Sequence, residues 1–395
     1  MDKRKVYHKK KRKRHHHITR EERKIQLMMR MVVLALGLIL VLVLVMGVKA
    51  LKNSVGGGSD NKQQTQEAAV PEDTDGLEEV TPEATPQPEP VSITVSLAGD
   101  CTLGMDEDFD YDTSFNAMYE WKGPEYFFEN VRSVFEADDL TIVNLEGPLT
   151  ESEDEQEKTF AFKGSPSYVQ VLTSGSVEAV NVANNHSYDY GDSGFRDTIA
   201  NVENAGIRTF GYDATALMEI KGIKVGLAGI YVLQDGMERE QQLKDKIGEL
   251  KGQGAQLIIV SFHWGSEKEN YPDDTQQALA HIAIDEGADL VVGHHPHVLQ
   301  GIETYQGKKI VYSLGNFCFG GNSNPSDKDT MIYQQTFTVT GDEVALDENV
   351  TIIPCCISSD WDYNDYRPTP VDNDDKTRIE GRIAEYSAGL EGSTQ

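Results

Sequence analysis

Asp289-Leu290-Val291-Val292-Gly293-His294-His295-Pro296-His297 joins a short apolar run to three histidines within five residues. The run predicts a buried strand over Asp289–Val292. The turn after it then presents imidazoles at the carboxyl end of a strand, the edge where open α/β sheets place their ligands. His295 and His297 flank Pro296 and share one side if the chain there is extended. Of the other seven histidines, four (His8, His15, His16, His17) lie in a basic tail and His281 falls in a helical pattern. His186 and His263 again follow apolar, strand-like runs.

Outward from that stretch, apolar runs alternate with helical periodicity. Strands are predicted over Val91–Ala98, Leu140–Leu145, Ala179–Ala183, Ile207–Phe210, Lys224–Ile230, Gln256–Phe262, Asp289–Val292 and Lys309–Leu314, and helices over 124–137, 166–173, 192–205, 237–252 and 273–286. This alternation implies an α/β domain with parallel strands covered on both faces. Met331–Thr340 and Val350–Pro354 read as strands without intervening helices, which predicts a second, partly antiparallel sheet. Asp360–Asp375 reads as an acidic loop and Lys376–Leu390 as an amphipathic helix. The domain occupies about residues 91–390.

Five predicted strand ends carry polar side chains suited to holding a cation. Asp100 follows Gly99 at the end of the first strand, where a turn would expose it. Asn144 and Glu146 flank Leu145 and lie on the opposite side from it. Asn184-Asn185-His186 ends the third strand, and His263 and His295/His297 end two more. A lone histidine is usually structural and asparagines often serve turns, but five converging ends make a metal site. The candidate ligands are Asp100, Glu146, Asn185, His263, His295 and His297. Mixed imidazole and oxygen donors suit Mn, Fe or Zn, and six ligands allow one or two ions, a pair of which would clamp a phosphoryl oxygen. His186, beside Asn185, is placed as general acid, with Asp189 and Glu267 orienting histidines.

The amino-terminal part reads differently. Residues 1–30 carry 13 Lys/Arg against three Asp/Glu, while the whole chain has a net charge of −29. Residues 31–48 contain no charge. As a helix they would extend about 27 Å, enough to cross a bilayer core. Their length exceeds that of a cleaved signal core. They therefore predict a single transmembrane helix, with the basic tail cytoplasmic and against anionic lipids, and the main domain extracellular. Residues 49–90, rich in Gly, Pro and acidic residues, form a spacer. The acidic outer part repels polyanions and argues against nucleic acid as a partner. Four cysteines do not make a disulfide framework at this size and read as small buried residues.

Leu97-Ala98-Gly99-Asp100, Asn144-Leu145-Glu146, Asn184-Asn185-His186 with Asp189 and Gly191, His263-Trp264-Gly265 with Glu267, Gly293–His297 and Tyr312-Ser313-Leu314-Gly315-Asn316-Phe317 occur in this order. Over residues 92–390 the chain resembles the bacterial capsule-synthesis protein CapA family, associated with poly-γ-glutamate production. That resemblance implies a calcineurin-like metallophosphoesterase fold, a four-layered α/β/β/α sandwich of two mixed sheets. The usual metallophosphoesterase pattern opens Asp-x-His, whereas here Thr102 stands two residues after Asp100. Its second motif is Gly-Asp-x-x-Asp, where this chain has Asn-Leu-Glu. The Asn-His motif and the closing His-x-His are kept, so the departures fall on one side of the metal pair. Three readings follow. One is a metal-dependent hydrolase acting on an anionic polymer or phosphoester in capsule synthesis or export. Another is a non-catalytic accessory subunit of a membrane polymer synthase. The last is a phosphatase unrelated to capsule.

Overall fold

The structure, a computed structural model, describes residues 88–346 and 349–390. The predicted tail (1–30), membrane span (31–48) and nearly all of the spacer lie outside the described residues. Among the described residues no helix is long and apolar enough to cross a membrane.

Two mixed sheets carry the domain. The nine-stranded sheet runs Thr369–Pro370, Val350–Cys356, Asp329–Thr340, Val91–Thr102, Leu140–Leu145, Ala179–Asn181, Arg208–Phe210, with Asn316–Phe319 beside Val91–Thr102 and Glu343–Val344 beside Asp329–Thr340. The six-stranded sheet runs Ile302–Tyr305, Lys308–Val311, Leu290–His294, Leu257–His263, Ile223–Tyr231, Thr215–Ile220. Its four inner strands are parallel and its two edges are antiparallel additions.

Period-2 alternation explains how the layers stack, because each strand sends successive side chains to opposite faces. Val95 and Leu97 of one sheet and Leu227, Ile259 and Val292 of the other share the core between the sheets. On the outer face of the larger sheet, Val143 and Val180 pack with Phe127, Leu172 and Val202 from the helices. On the outer face of the smaller sheet, Val260 and Val291 pack with Ile247 and Leu250 of the helix Glu240–Gly252 and Leu279 of Asp274–Asp285. The result is helix, sheet, sheet, helix, the layering the resemblance implies. Strands buried on both faces read as continuous apolar runs, which is why they were legible.

Several boundaries move. Predicted helix 124–137 is two one-turn helices, Glu125–Phe128 and Arg132–Phe135. Predicted helices 166–173 and 237–252 each begin as a 3₁₀ turn. The segment Asp360–Asp375 is not all loop, since it holds the short strand Thr369–Pro370 and the start of the helix Asn373–Ser387. The helix Phe115–Lys122 and the strands Thr215–Ile220, Ile302–Tyr305 and Asn316–Phe319 were not foreseen. The four cysteines are buried and free.

Candidate metal centre

Carboxyl ends of strands from both sheets meet at one place. The strand carrying Asp100 extends to Thr102, so Asp100 sits within the ladder and is fully buried rather than exposed on a turn. The ladder register shifts on either side of Asp100. There the Asp100 amide donates to Gly315 O at 3.0 Å. Gly99 makes this approach feasible, because a Cβ there would stand 2.0 Å from that carbonyl oxygen.

On the larger sheet, Asp100 Oδ1 accepts from Asn144 Nδ2 at 2.8 Å, and Asn144 Oδ1 accepts from Asn181 Nδ2 at 3.0 Å. Glu146 lies fully buried just past the same strand. Its Oε1 stands 3.8 Å from His263 Nε2, 3.9 Å from His297 Nε2 and 4.0 Å from His186 Nε2. On the smaller sheet, His263 ends Leu257–His263, and its Nε2 pairs with Asn185 Oδ1 at 2.7 Å. His297 Nδ1 pairs with Asn316 Oδ1 at 2.8 Å and lies 3.3 Å from Asp100 Oδ2. His294 Nδ1 lies 3.4 Å from Asp100 Oδ1, without the alignment of a hydrogen bond.

His295 and His297 converge by a different route from the one the sequence suggests. Both have positive φ, 95° and 58°, so the segment is not extended. Two left-handed residues around Pro296 fold the turn back, and the ligand atoms of Glu146, His295 and His297 all fall within 4.8 Å of one another.

Electrostatics follow from burial. Burial pushes the Glu146 carboxyl up to about 8, against the opposing pull of His297. Burial alone would lower His297, but facing Glu146 and Asp100 lifts it to about 10. Burial would raise Asp100, yet His294 and His297 hold it well below the usual carboxylate range. His263 is lowered well below the usual imidazole value and His295 to about 4, first by burial and then by neighbouring imidazoles. Asp100 thus draws its compensation from two imidazoles, while Glu146 is faced chiefly by His297.

The donor set fits a divalent cation. Both Glu146 oxygens, His294 Nδ1, His295 Nδ1 and Thr102 Oγ1 are buried with no hydrogen-bond partner among the described residues. Buried polar atoms are almost always partnered, and a carboxylate out of water with neither oxygen satisfied is costly. Donors each about 2.1 Å from one cation stand about 3–4 Å apart, close to the spacings around Glu146. Hard oxygen with imidazole nitrogen suits Mn, Fe or Zn.

Behind the cage, Asp189 Oδ2 accepts from His186 Nδ1 at 2.7 Å and from the Phe162 amide at 2.7 Å. Lys158 Nζ donates to Asp189 Oδ1 at 2.5 Å and to Asn185 O at 3.0 Å. Burial lowers His186, opposed by the Asp189 bond. Phe162 packs on the His186 ring at 4.4 Å.

The structure therefore brings together Asp100, Glu146, Asn185, His186, His263, His295 and His297, with Asp189 orienting His186. Glu267 is the exception. It is exposed on the rim of a cleft of about 390 Å³ that His186 and His297 also line, and among the described residues it bonds no histidine. The orienting role expected of Glu267 falls to Asn316, on His297. Asn316 lies in the Tyr312–Phe317 motif but carries no charge to mark it. Asn144, two residues before Glu146, links the two strands. Lys158 sits in an acidic loop without any local pattern and has no sequence signal.

A family model described as bacterial capsule synthesis protein PGA_cap matches residues 94–321. The chain is 31% identical over 249 residues to the PGA biosynthesis protein CapA of Bacillus subtilis (strain 168), covering 58% of this chain and 63% of that one. It is 28% identical over 253 residues to the capsule biosynthesis protein CapA of Bacillus anthracis, covering 58% and 60%. A Mycobacterium tuberculosis (strain CDC 1551 / Oshkosh) protein named "Probable polyglutamine synthesis accessory protein" is 30% identical over 216 residues, covering 46% and 55%. The match thus spans less than two thirds of each of these relatives. The matched span holds every residue of the cage, and the chain belongs to the bacterial capsule synthesis protein PGA_cap family.

Proposed function

We propose that the chain serves the synthesis or export of a capsule polymer of the poly-γ-glutamate type, as an extracytoplasmic protein anchored by residues 31–48 and carrying a metal-dependent hydrolase site. The observation that carries the catalytic part is Glu146, buried with both oxygens unsatisfied and faced by three imidazole Nε2 atoms. Asp100, Glu146, Asn185, His263, His295 and His297 would hold one or two ions of Mn, Fe or Zn. When bound, such ions polarise a phosphoryl or acyl oxygen and acidify water.

The chain's own residues supply the rest. The Asp189 bond fixes the proton of neutral His186 on Nδ1 and leaves Nε2 facing the cage, where, once protonated, it hands a proton to the leaving oxygen. Lys158 holds Asp189 in place, and Phe162 shields the pair from water. The partners in this reading are membrane polymer-synthase subunits, with anionic lipid against the basic tail and an anionic polymer or phosphoester in the cleft.

The test is elemental analysis of the detergent-solubilised full chain together with turnover of a chromogenic phosphodiester. Bound metal with activity in the wild type, and loss of activity in His297→Ala, is the expected result. Equal turnover in both would overturn the catalytic reading. A second reading, a non-catalytic accessory subunit, is favoured by one observation. Thr102 stands where the pattern has a histidine, and its hydroxyl is buried without a partner. Zero equivalents of metal would support this reading.

A further inference from the structure

Besides His186 and His297, the charged groups lining the cleft over the cage are Glu267, Lys268 and Asp327. Asp327 is answered within the protein, its two oxygens accepting from Arg382 Nη1 at 3.1 Å and Nη2 at 2.6 Å. Lys158, behind the cage, is likewise committed, to Asp189 and Asn185 O. Lys268 is different. It is exposed, it is the one lysine or arginine in the cleft lining among the described residues, and its ammonium has no partner among them.

The backbone holds this cation beside the imidazoles. Lys268 has φ 65°, a left-handed conformation uncommon for a residue with a side chain. Its amide donates to Pro296 O at 2.8 Å, which ties this turn to the segment carrying His295 and His297. A glycine would take the same conformation without strain, so the lysine is kept at a cost, as residues at functional turns are.

Another part of the lining is aromatic. Phe162 packs on the His186 ring at 4.4 Å and Phe319 on the His297 ring at 5.2 Å. Both are buried, but Phe160, parallel to Phe162 with centroids 6.3 Å and planes 9° apart, is 49% exposed. Phe160 thus offers apolar ring surface in the cleft whose one unpaired cation is Lys268. A ligand matching both carries an anionic group and, next to it, an uncharged segment such as a run of methylene groups. Glu267, also exposed on this turn, repels an anion there, so its removal should act oppositely to that of Lys268.

We propose that Lys268 and Phe160 set the specificity of the cleft: Lys268 pairs with an anionic group next to the one at the metal centre, and Phe160 packs on the uncharged segment between them. The assignment rests on the reading of an anionic chain in this cleft. Binding is measured on the detergent-solubilised full chain, stripped of metal and freed of chelator. Absent turnover, which would sink the hydrolytic reading, therefore leaves this result standing. The probes are fluorescein-labelled hexamers of γ-glutamate, of end-amidated γ-glutamine and of glycerol phosphate, read by anisotropy. At least one anionic hexamer should bind saturably and more tightly than the γ-glutamine hexamer, γ-glutamate identifying a carboxylate and glycerol phosphate a phosphodiester. Lys268→Gln should weaken that anionic hexamer about fivefold without affecting the neutral one, while Lys268→Arg keeps the affinity and Glu267→Gln raises it. Phe160→Ala should weaken charged and neutral hexamers alike, by about fivefold. Equal affinity for charged and neutral hexamers overturns the proposal, as does the absence of saturable binding by either anionic one. Equal losses for charged and neutral hexamers in Lys268→Gln, or unchanged affinity in Phe160→Ala, overturn it too.

Discussion

The two walls of the metal centre differ in chemistry and in how they are held. The wall from the nine-stranded sheet offers oxygens, Asp100 within the ladder and Glu146 just past it: Asp100 pairs with Asn144, and Asn144 with Asn181, as strand neighbours. The wall from the six-stranded sheet offers imidazoles, and two of them sit on left-handed residues, His295 and His297. A non-glycine residue held there costs of order 1–3 kcal/mol. The oxygen wall is thus positioned by strand pairing, with a register shift on either side of Asp100, and the imidazole wall by left-handed backbone, offset by bonds such as His297 to Asn316. Strain retained at a turn is a mark of function, whereas the strand-built wall is the one that lacks the second residue of an Asp-x-His pair, at Thr102.

The strongest way to break this picture is at Glu146. In Glu146→Gln the cage loses its central anion. Metal affinity should fall by more than the roughly 10–100-fold typical of losing an outer partner, with hydrolytic turnover lost alongside. The chelated variant should melt no higher than chelated wild type, because an amide there is as unpartnered as the carboxyl it replaces and no longer offsets the charge on His297. Elemental analysis and paired melting curves with and without chelator read both effects. Unchanged metal content would remove Glu146 from the ligand set.

Next in size is Asp189→Asn, which leaves the cage intact and touches only the His186 pair. Turnover of the phosphodiester should fall roughly 100-fold or more, the usual worth of a positioned proton carrier, while bound metal stays the same. Equal losses in metal and turnover would make Asp189 a support of the cage instead. Smaller again is Asn316→Ala, which frees the His297 ring. Metal affinity should drop about 10–100-fold, measured by competition with a chelating dye, and turnover should recover at saturating metal.

The difference between the walls also explains what the sequence disclosed. Strands buried on both faces, such as Leu257–His263 and Leu290–His294, are continuous apolar runs, and the polar residues ending them were identifiable one by one. Which sheet each strand joins was not readable from periodicity. It depends on long-range pairing such as Asp100 with Asn316, and the late helix-free strands, expected in a second sheet, join the nine-stranded sheet beside Val91–Thr102 instead. Period-2 reasoning placed Asn144 and Glu146 correctly because their strand is regular. It gave the right partners for the wrong reason at His295 and His297, where the backbone is left-handed rather than extended. Glu267 was misjudged because proximity in sequence to His263 says nothing about where an exposed turn points its side chain. Lys158 reaches Asp189 from a loop whose acidic composition suggests only solvent.

The finest comparison concerns Thr102, where the oxygen wall either ends or continues. Its hydroxyl is buried and unpartnered, so it is either a weak ligand or an unsatisfied donor. Thr102→Val keeps the shape and removes the oxygen. If the wall ends at Asp100 and Glu146, metal content should be unchanged, and the chelated protein should gain about 1 kcal/mol, since an isosteric apolar group replaces an orphaned one. If the hydroxyl completes the cage, the variant should bind less metal and show no gain in the holo form. The melting difference between chelated and metal-loaded protein separates the two outcomes, because a ligand contributes only when the cation is present. An unaltered metal content would make the missing second residue of the Asp-x-His pair a real gap, with the imidazole wall and Glu146 holding the ion between them.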